Sequence, residues 1–467
     1  VVAGLGGDAD FSLPIPAGSR RALALGWLTL GLASLVLSGV FSVLLVLSRA
    51  PYVKDVFPLV DFFHVALVVH VDLSVLVWFL AFAGVFWSVN TTERWVSAGW
   101  AALFLAIAGT LIMSLAPFIG RGGPIMSNYI PVLDDPVFLW GLGIFALGFA
   151  LLTLRSMVTV PLVGIRIDGT GALRFGLNSS LVAAAVALMA FAWSYLALPE
   201  GLDGKAYFEL LFWGGGHVLQ FTYTLLMLVA WLWLAQAAGA RVPLTPRISV
   251  LLFAVGLVSV FLTPVIYAAY DVGSVEHHRL LTWLMQFGGG LAILPFALAV
   301  LIALATGPVP DAEQRPLRAA LIASVVLFGA GGMIGFLIHG SNVKIPAHYH
   351  GSIVGVTLAF MGVAYYLLPR LGFEAPASRL AAWQPYVYGG GQLLHITGLL
   401  WSGGYGVQRK VAGAAQTLRS GAEVMGMGIM GLGGLIAVAG GLIFLVVMLR
   451  AMWRRPAFNP PAGIAGR

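Results

Sequence analysis

Cysteine is absent from all 467 residues. That excludes disulfides, thiolate metal sites, iron–sulfur clusters and haem attached through thioether bonds. Charge is scarce as well: Asp, Glu, Lys and Arg make up 9% of the chain, where a soluble domain carries about 25%. With 60% of residues apolar, most of the surface must face lipid rather than water. The formal charge of +7 suits basic loops, but no basic run is long enough to mark a nucleic-acid partner. No repeat of fixed period and no long linker divides the chain. Residues 1–467 therefore read as a single transmembrane domain. The stretch 1–20 reads as a short cytoplasmic segment and 455–467 as a cytoplasmic tail. The polar, Gly/Pro-rich opening matches neither a signal peptide nor a span.

What is present is a succession of long apolar runs bounded by Arg, Pro and Gly. They fall at about 22–48, 61–88, 97–119, 136–158, 176–197 and 207–238. Six more follow at about 247–270, 280–306, 316–340, 346–369, 384–402 and 425–450. Backbone polar groups in lipid must be satisfied internally, so runs of this length are helices. The expected fold is all-α, with about twelve transmembrane helices. Loops on the N-terminal side hold sixteen of the 25 Lys and Arg. The positive-inside rule then puts both termini in the cytoplasm of a bacterial or archaeal membrane.

Without cysteine, histidine is the strong soft-metal ligand available, and there are nine. On this topology His64 and His70 fall in the outer part of the second span, and His217 about ten residues into the sixth. His277 and His278 fall just past the outer end of the seventh, and His348 and His350 open the tenth. Each alone could be a satisfied interfacial histidine. Convergence on one depth from four helical regions points instead to metal or haem ligation. His348 and His350, two residues apart, stand about 200° apart on a helix and face opposite ways. They can therefore serve two different metals. His64 and His70 stand about 240° apart, so they cannot both face one group.

At these residues the chain resembles the haem-copper oxidase and nitric oxide reductase superfamily, in its catalytic subunit. PAHYHGSIVGVTLAFMG, from Pro346, resembles the tenth helix with its His-x-His pair. VEHHRLL resembles the double histidine, WGGGHVLQF the sixth-helix histidine, and VVHVDLSVLVWFL the second-helix motif of the nitric oxide reductases. GGYGVQRKVAG resembles the outer loop whose basic pair holds haem propionates. The motifs occur in family order and cover most of the chain.

The resemblance implies a respiratory terminal reductase with two haems, b-type expected, and a second metal. His70 and His350 would be the axial ligands of a low-spin haem, and His348 the single axial ligand of the high-spin haem. His217, His277 and His278 would hold the second metal, non-haem iron or alternatively copper. Arg409 and Lys410 would neutralise propionates, although the family's Arg-Arg is here Arg-Lys and Lys is the poorer bidentate partner. His339 could be a ligand near the propionates or a packing residue. His395 matches no motif and reads as a buried polar contact, and His64 as an interfacial one. No soluble electron-accepting domain is visible, the longest polar loops lying around 159–175 and 403–424. Electrons would come from a partner subunit carrying a copper centre or c-type haem, or from a quinol.

Which gas is reduced turns on a few positions. The commonest oxygen reductases place a cross-linked Tyr four residues after the sixth-helix His, and familiar nitric oxide reductases a Glu. Here that position is Phe221, which can supply neither a phenol nor a carboxylate. A third oxidase type has its Tyr six residues before the double His. Asp271 stands there and Tyr270 one residue earlier, so Tyr270 keeps the oxygen reading open beside an interfacial role for Tyr267 and Tyr270. Gln220 and Glu276 are the nearest candidates to replace the missing carboxylate, Glu276 also reading as an exposed loop acid. Leu219 stands where pumping oxidases carry a Glu, so that proton route is not visible. The run Thr222, Tyr223, Thr224 could form another path or simply pack helices. Asp72 is an intramembrane acid of open role. The expectation is a divergent nitric oxide reductase, with oxygen reduction as the alternative. A transporter, the rival of another class, tends to show internal repeats and broken helices, and neither is evident.

Overall fold

A computed structural model describes residues 10–47, 62–165, 167–408, 418 and 420–454. Among the described residues twelve long helices follow one another: α1 Gly18–Leu47, α2 Phe62–Asn90, α3 Val96–Ile119, α4 Pro136–Thr159, α5 Gly169–Ala197 and α6 Gly204–Ala237. Then come α7 Pro246–Ala269, α8 Val275–Thr306, α9 Gln314–Gly335, α10 Lys344–Arg370, α11 Arg379–Gly404 and α12 Gly421–Trp453. Among the described residues 11 of these are long and apolar enough to cross a membrane. The exception is α11, whose Gln384, Gln392 and glycines lower its hydropathy, yet it packs along α12 as the others pack in pairs. The expected all-α bundle of about twelve helices is the observed one. Below, "outer" means the end opposite the Arg-rich loops.

Six of the helix starts are set by side-chain caps. Asp135, Asp168, Thr245, Ser274, Ser378 and Ser420 each accept from a backbone N–H two or three residues on. These caps satisfy donors that would otherwise be orphaned. One cap moves an expected boundary. Ser274 Oγ accepts from His277 N at 3.2 Å, so α8 begins at Val275 rather than near 280. The double histidine therefore lies in the first turn of α8, not in a loop after α7. The break expected of a chain turn appears lower down instead, at Gly289 between Gly288 and Gly290.

Three spans form the centre. In α6 and α10, 83% of the apolar window is buried, and in α2 72%, against 56% or less elsewhere. A helix apolar all round belongs inside, and these three carry His217, His348 with His350, and His70. They lock through aromatic rings: Phe79 meets Tyr223 of α6 and Phe360 of α10, and Phe82 stacks on Phe360 at 4.7 Å. Interhelical hydrogen bonds add register, Trp87 Nε1 to Ser180 and Trp231 Nε1 to Ser324, whose hydroxyl donates to the Gly355 carbonyl. Each contributes roughly 0.6 kcal/mol in a membrane. At the inner end, buried Arg155 donates to the Thr91 hydroxyl and the Thr92 carbonyl. That fixes the α2–α3 turn better than the half-exposed Arg20–Glu93 pair, whose worth is under about 1 kcal/mol.

Close approach between α11 and α12 depends on glycine. Gly391 and Gly398 on one helix meet Gly426, Gly433 and Gly440 on the other. A Cβ at any of them would run into the partner helix, four of the five meeting its backbone and Gly426 its Ser402 and Trp401 side chains. The stripe recurs every seven residues, the small-residue seam by which membrane helices pack without a hydrophobic drive. At the outer end, residues 120–135 fold into a hairpin whose strands pair Pro124 with Leu133 and Ile125 with Val132. The hairpin caps the outer ends of α2 and α6.

Candidate functional site: a histidine layer at the outer ends of the central helices

His70 emerges where α2 departs from ideal geometry. Residues Asp72–Val77 form a π-helical segment, the kind of one-residue expansion that recurs at functional sites. His70 Nδ1 donates to the Ser38 carbonyl at 3.0 Å, with the hydroxyls of Ser38 and Ser42 at 2.8 and 2.9 Å. A carbonyl accepts only from N–H, so Nδ1 carries the proton and Nε2 keeps its lone pair. Asp72, two residues on, is buried, and its Oδ2 has no hydrogen-bond partner among the described residues.

His348 is held the same way. Its Nδ1 donates to the Gly331 carbonyl of α9 at 2.7 Å. His350 faces away from it, toward α11, where its ring lies 4.7 Å from that of His395. The pair thus serves two different sides of α10, as its two-residue spacing requires.

Across α10, the WGGGH segment of α6 is a docking strip for three aromatic rings. A Cβ on Gly214 would overlap the Tyr267 hydroxyl, one on Gly215 the Phe191 ring, and one on Gly216 the Tyr129 ring. His217 Nδ1 donates to the Trp213 carbonyl at 2.7 Å, leaving a lone pair on Nε2. Tyr129, from the outer hairpin, donates its hydroxyl to that Nε2 at 2.8 Å. Burial first, then the proximity of Tyr349 and Glu209, holds the Tyr129 phenol well above its ordinary range, so it is present as a donor. Glu209 secures the hairpin by accepting from the backbone and side-chain amides of Asn128.

His277 is fully buried with both ring nitrogens unpartnered among the described residues. Its ring meets Tyr267 edge-on at 4.6 Å. His278 lies over Trp213 at 4.4 Å, and Trp213 Nε1 donates to the His278 carbonyl at 3.2 Å. Among the described residues no three His, Asp or Glu side chains already converge on a single metal position.

Other predicted positions sort as follows. Phe221 is buried beside Gly288 and Gly289 of α8. Gln220 is half-buried one turn below His217. Glu276 is exposed at the start of α8, the loop-acid reading of that residue. Tyr270 is 41% exposed with extended backbone, because α7 ends at Ala269. The tyrosine that α7 turns inward is Tyr267, whose hydroxyl pairs with Ser194 at 2.8 Å. His339 is exposed on the turn after α9. His64 packs edge-on against Phe63. Arg409 and Lys410 lie outside the described residues, as do 1–9 and 455–467.

Sequence reasoning passed over Tyr129, Glu209 and the Tyr267–His277 contact. Three successive glycines before His217 were the available signal, since each marks a ring pressed against the helix.

The donor chemistry fits haem on one side. His70 and His348 each have Nδ1 held by a carbonyl and Nε2 free, the arrangement that orients an imidazole for iron. It fits a metal on the other side through His277, whose orphaned buried nitrogens call for a ligand, with His217 and His278 adjacent. There the lone pair of His217 Nε2 is the one that Tyr129 occupies, so a metal and the phenol proton compete for it.

Residues 22–443 match the family model described as cytochrome c and quinol oxidase polypeptide I, and the chain belongs to that family. An uncharacterized protein of Rickettsia prowazekii (strain Madrid E) is 28% identical over 93% of this chain and 96% of its own length. One of Aquifex aeolicus (strain VF5) is 27% identical over 77% of this chain and 88% of its own. Among solved structures, a heme-copper terminal oxidase dimer seen by cryo-electron microscopy superposes with a TM-score of 0.72 at 17% identity. That alignment covers 95% of this chain and 85% of that one, and it shows the shared fold. The protein is therefore a multi-pass membrane oxidoreductase of the haem-copper family, and the family implies haem groups and a binuclear centre.

Proposed function

We propose that this chain is the catalytic subunit of a terminal reductase that takes nitric oxide as its substrate. Two NO, two electrons and two protons give nitrous oxide and water. The observation that carries this reading is buried Phe221, one turn beyond His217: it supplies neither the phenol of the oxygen reductases nor the Glu of the familiar nitric oxide reductases, and the two-electron coupling of NO is the chemistry that needs no redox-active phenol there. Tyr270, 41% exposed at the end of α7, is not proposed as a replacement for that phenol. When bound, the haems would relay electrons, and the open iron and second metal would hold the gas.

The chain's own part is to position. His70 and His350 would hold the low-spin haem and His348 the high-spin haem, with Arg409 and Lys410 toward their propionates. His217, His277 and His278 would hold the second metal, iron in the nitric oxide reading and copper in the oxygen one. Gln220 is proposed to line the gas site, one turn below His217. Juxtaposing two NO molecules converts a bimolecular coupling into a local one. Electrons are proposed to enter from a separate donor subunit or a quinol, with both termini cytoplasmic.

A specific contact favours oxygen as the second reading. The Tyr129 hydroxyl on His217 is a phenol at the second-metal histidine, reached from a different part of the chain. The purified, reduced complex, followed with separate NO and oxygen electrodes, decides between them. Fast NO loss with nitrous oxide formed and little oxygen uptake supports the first reading. Fast oxygen uptake with slow NO turnover replaces it with the second.

A further inference from the structure

Both other histidines proposed for the haems have a backbone carbonyl fixing Nδ1: Ser38 for His70 and Gly331 for His348. His350 is the exception, making no hydrogen bond among the described residues. What stands beside it is another imidazole, His395, with ring centroids 4.7 Å apart and planes at 67°. His395 is itself anchored, its Nδ1 donating to the Met430 carbonyl of α12 at 2.8 Å. Since a carbonyl accepts only from N–H, the lone pair of His395 sits on Nε2. The anchor is sterically enforced: the backbone of His395 is pressed against Gly433, and a Cβ at Gly434 would lie 3.3 Å from His395 Nδ1. His395 is thus an anchored acceptor beside the His350 ring.

We propose that His395 is the positioning residue for His350. It takes the His350 ring N–H at its Nε2, completing a chain from His350 through His395 to the Met430 carbonyl. The remaining nitrogen of His350 is left with its lone pair outward for the low-spin haem. The proposal rests on His350 being an axial ligand. An imidazole that donates to a good acceptor is a more electron-rich ligand, as carboxylates and carbonyls achieve behind other metal-bound histidines. Here a second histidine supplies that acceptor, from a helix whose polarity sets it apart from the other spans.

The test uses the complete, haem-loaded complex. Haem content is read by pyridine haemochrome, the low-spin signal by electron paramagnetic resonance, and the low-spin potential by spectroelectrochemical titration. His395→Leu should keep both haems and shift the low-spin potential upward. His395→Gln, which restores a carbonyl acceptor, should bring the potential back toward the parent value. His350→Ala should abolish the low-spin signal. A low-spin signal that survives His350→Ala means that the ligand reading itself has failed. If His350→Ala abolishes the signal while His395→Leu leaves the potential unchanged, the positioning role is overturned. Loss of the low-spin signal in His395→Leu together with its survival in His350→Ala would make His395 the ligand and also overturn the proposal. Where His395→Leu fails to load haem, His395→Gln decides: a parent-like potential supports the role, and a displaced one overturns it.

Discussion

The two sides of the histidine layer are built differently. On the α2/α10 side, His70 and His348 are locked by carbonyls from neighbouring helices, with the opposite nitrogen already free. On the α6/α8 side, His217 is locked but its outward nitrogen is taken by Tyr129, and His277 is buried with neither nitrogen satisfied. A buried polar group left unpaired costs about 1–3 kcal/mol, so the second side carries a cost that a bound metal would offset. The first side is organised by the bundle alone. The second is organised jointly by the bundle and by whatever the imidazoles bind.

The largest effect should come from removing a histidine proposed to hold the low-spin haem. His70→Ala or His350→Ala should abolish the low-spin haem spectrum while part of the high-spin haem remains. Retention of both haems in either variant breaks that assignment. The next largest effect lies on the adjustable side. His277→Ala should lower second-metal content more than the 10–100-fold typical of losing a supporting residue, with haem content unchanged. Elemental analysis of the purified complex reads this directly, and parent-level metal would show that His277 is not a ligand.

Tyr129→Phe then sharpens the comparison, because its outcome depends on the gas. If the phenol supplies a proton to substrate, oxygen turnover should fall by about 100-fold or more, the scale of a lost general acid. If NO is the substrate, NO turnover should stay within a few-fold of the parent, and second-metal affinity should rise because the competing hydroxyl is gone. The pH dependence has a definite sign. Burial raises the Tyr129 phenol in the folded protein above its unfolded value of about 10. Its neutral form therefore contributes fully below about pH 10, and that contribution is lost only as pH rises through the folded value. The parent-to-Phe difference should be flat with pH below about 10. A difference that vanishes near neutrality would contradict a protonated Tyr129.

The fixed side is also the one that was legible in the sequence. Two residues on a helix settle opposite faces without any tertiary information, so His348 and His350 could be placed on opposite sides of α10 in advance; which helices they face, α9 and α11, came from the structure. Span number followed from hydropathy in the same way. The adjustable side was harder for reasons that are physical. Tyr129 lies 88 residues from His217 on an outer hairpin, and nothing in local spacing couples them. Spacing to the double histidine singled out Tyr270, but α7 ends at Ala269 and it is Tyr267 that is buried against Ser194. His277 and His278 were placed in a loop rather than in the first turn of α8 because Ser274, a one-residue cap, starts α8 earlier than the apolar run does. His395 matched no motif because its partners are a neighbouring helix's carbonyl and another histidine.

The smallest expected effect tests how much redundancy the fixed side holds. Ser42→Ala removes one hydroxyl 2.9 Å from His70 Nδ1 but leaves the Ser38 carbonyl and hydroxyl in place. A neutral hydrogen bond is worth about 1 kcal/mol, and here the carbonyl is the acceptor that sets the tautomer. Ser42→Ala should therefore keep the low-spin spectrum and change thermal stability of the loaded complex by no more than that amount. Gly216→Ala makes the matching test on the other side. Its Cβ would press on the Tyr129 ring, an overpacking that typically costs 1–3 kcal/mol and that the hairpin can relieve by moving. If Ser42→Ala proved the more damaging of the two, His70 would be held by its hydroxyls rather than by the backbone. The contrast between a bundle-organised side and an adjustable one would then no longer hold.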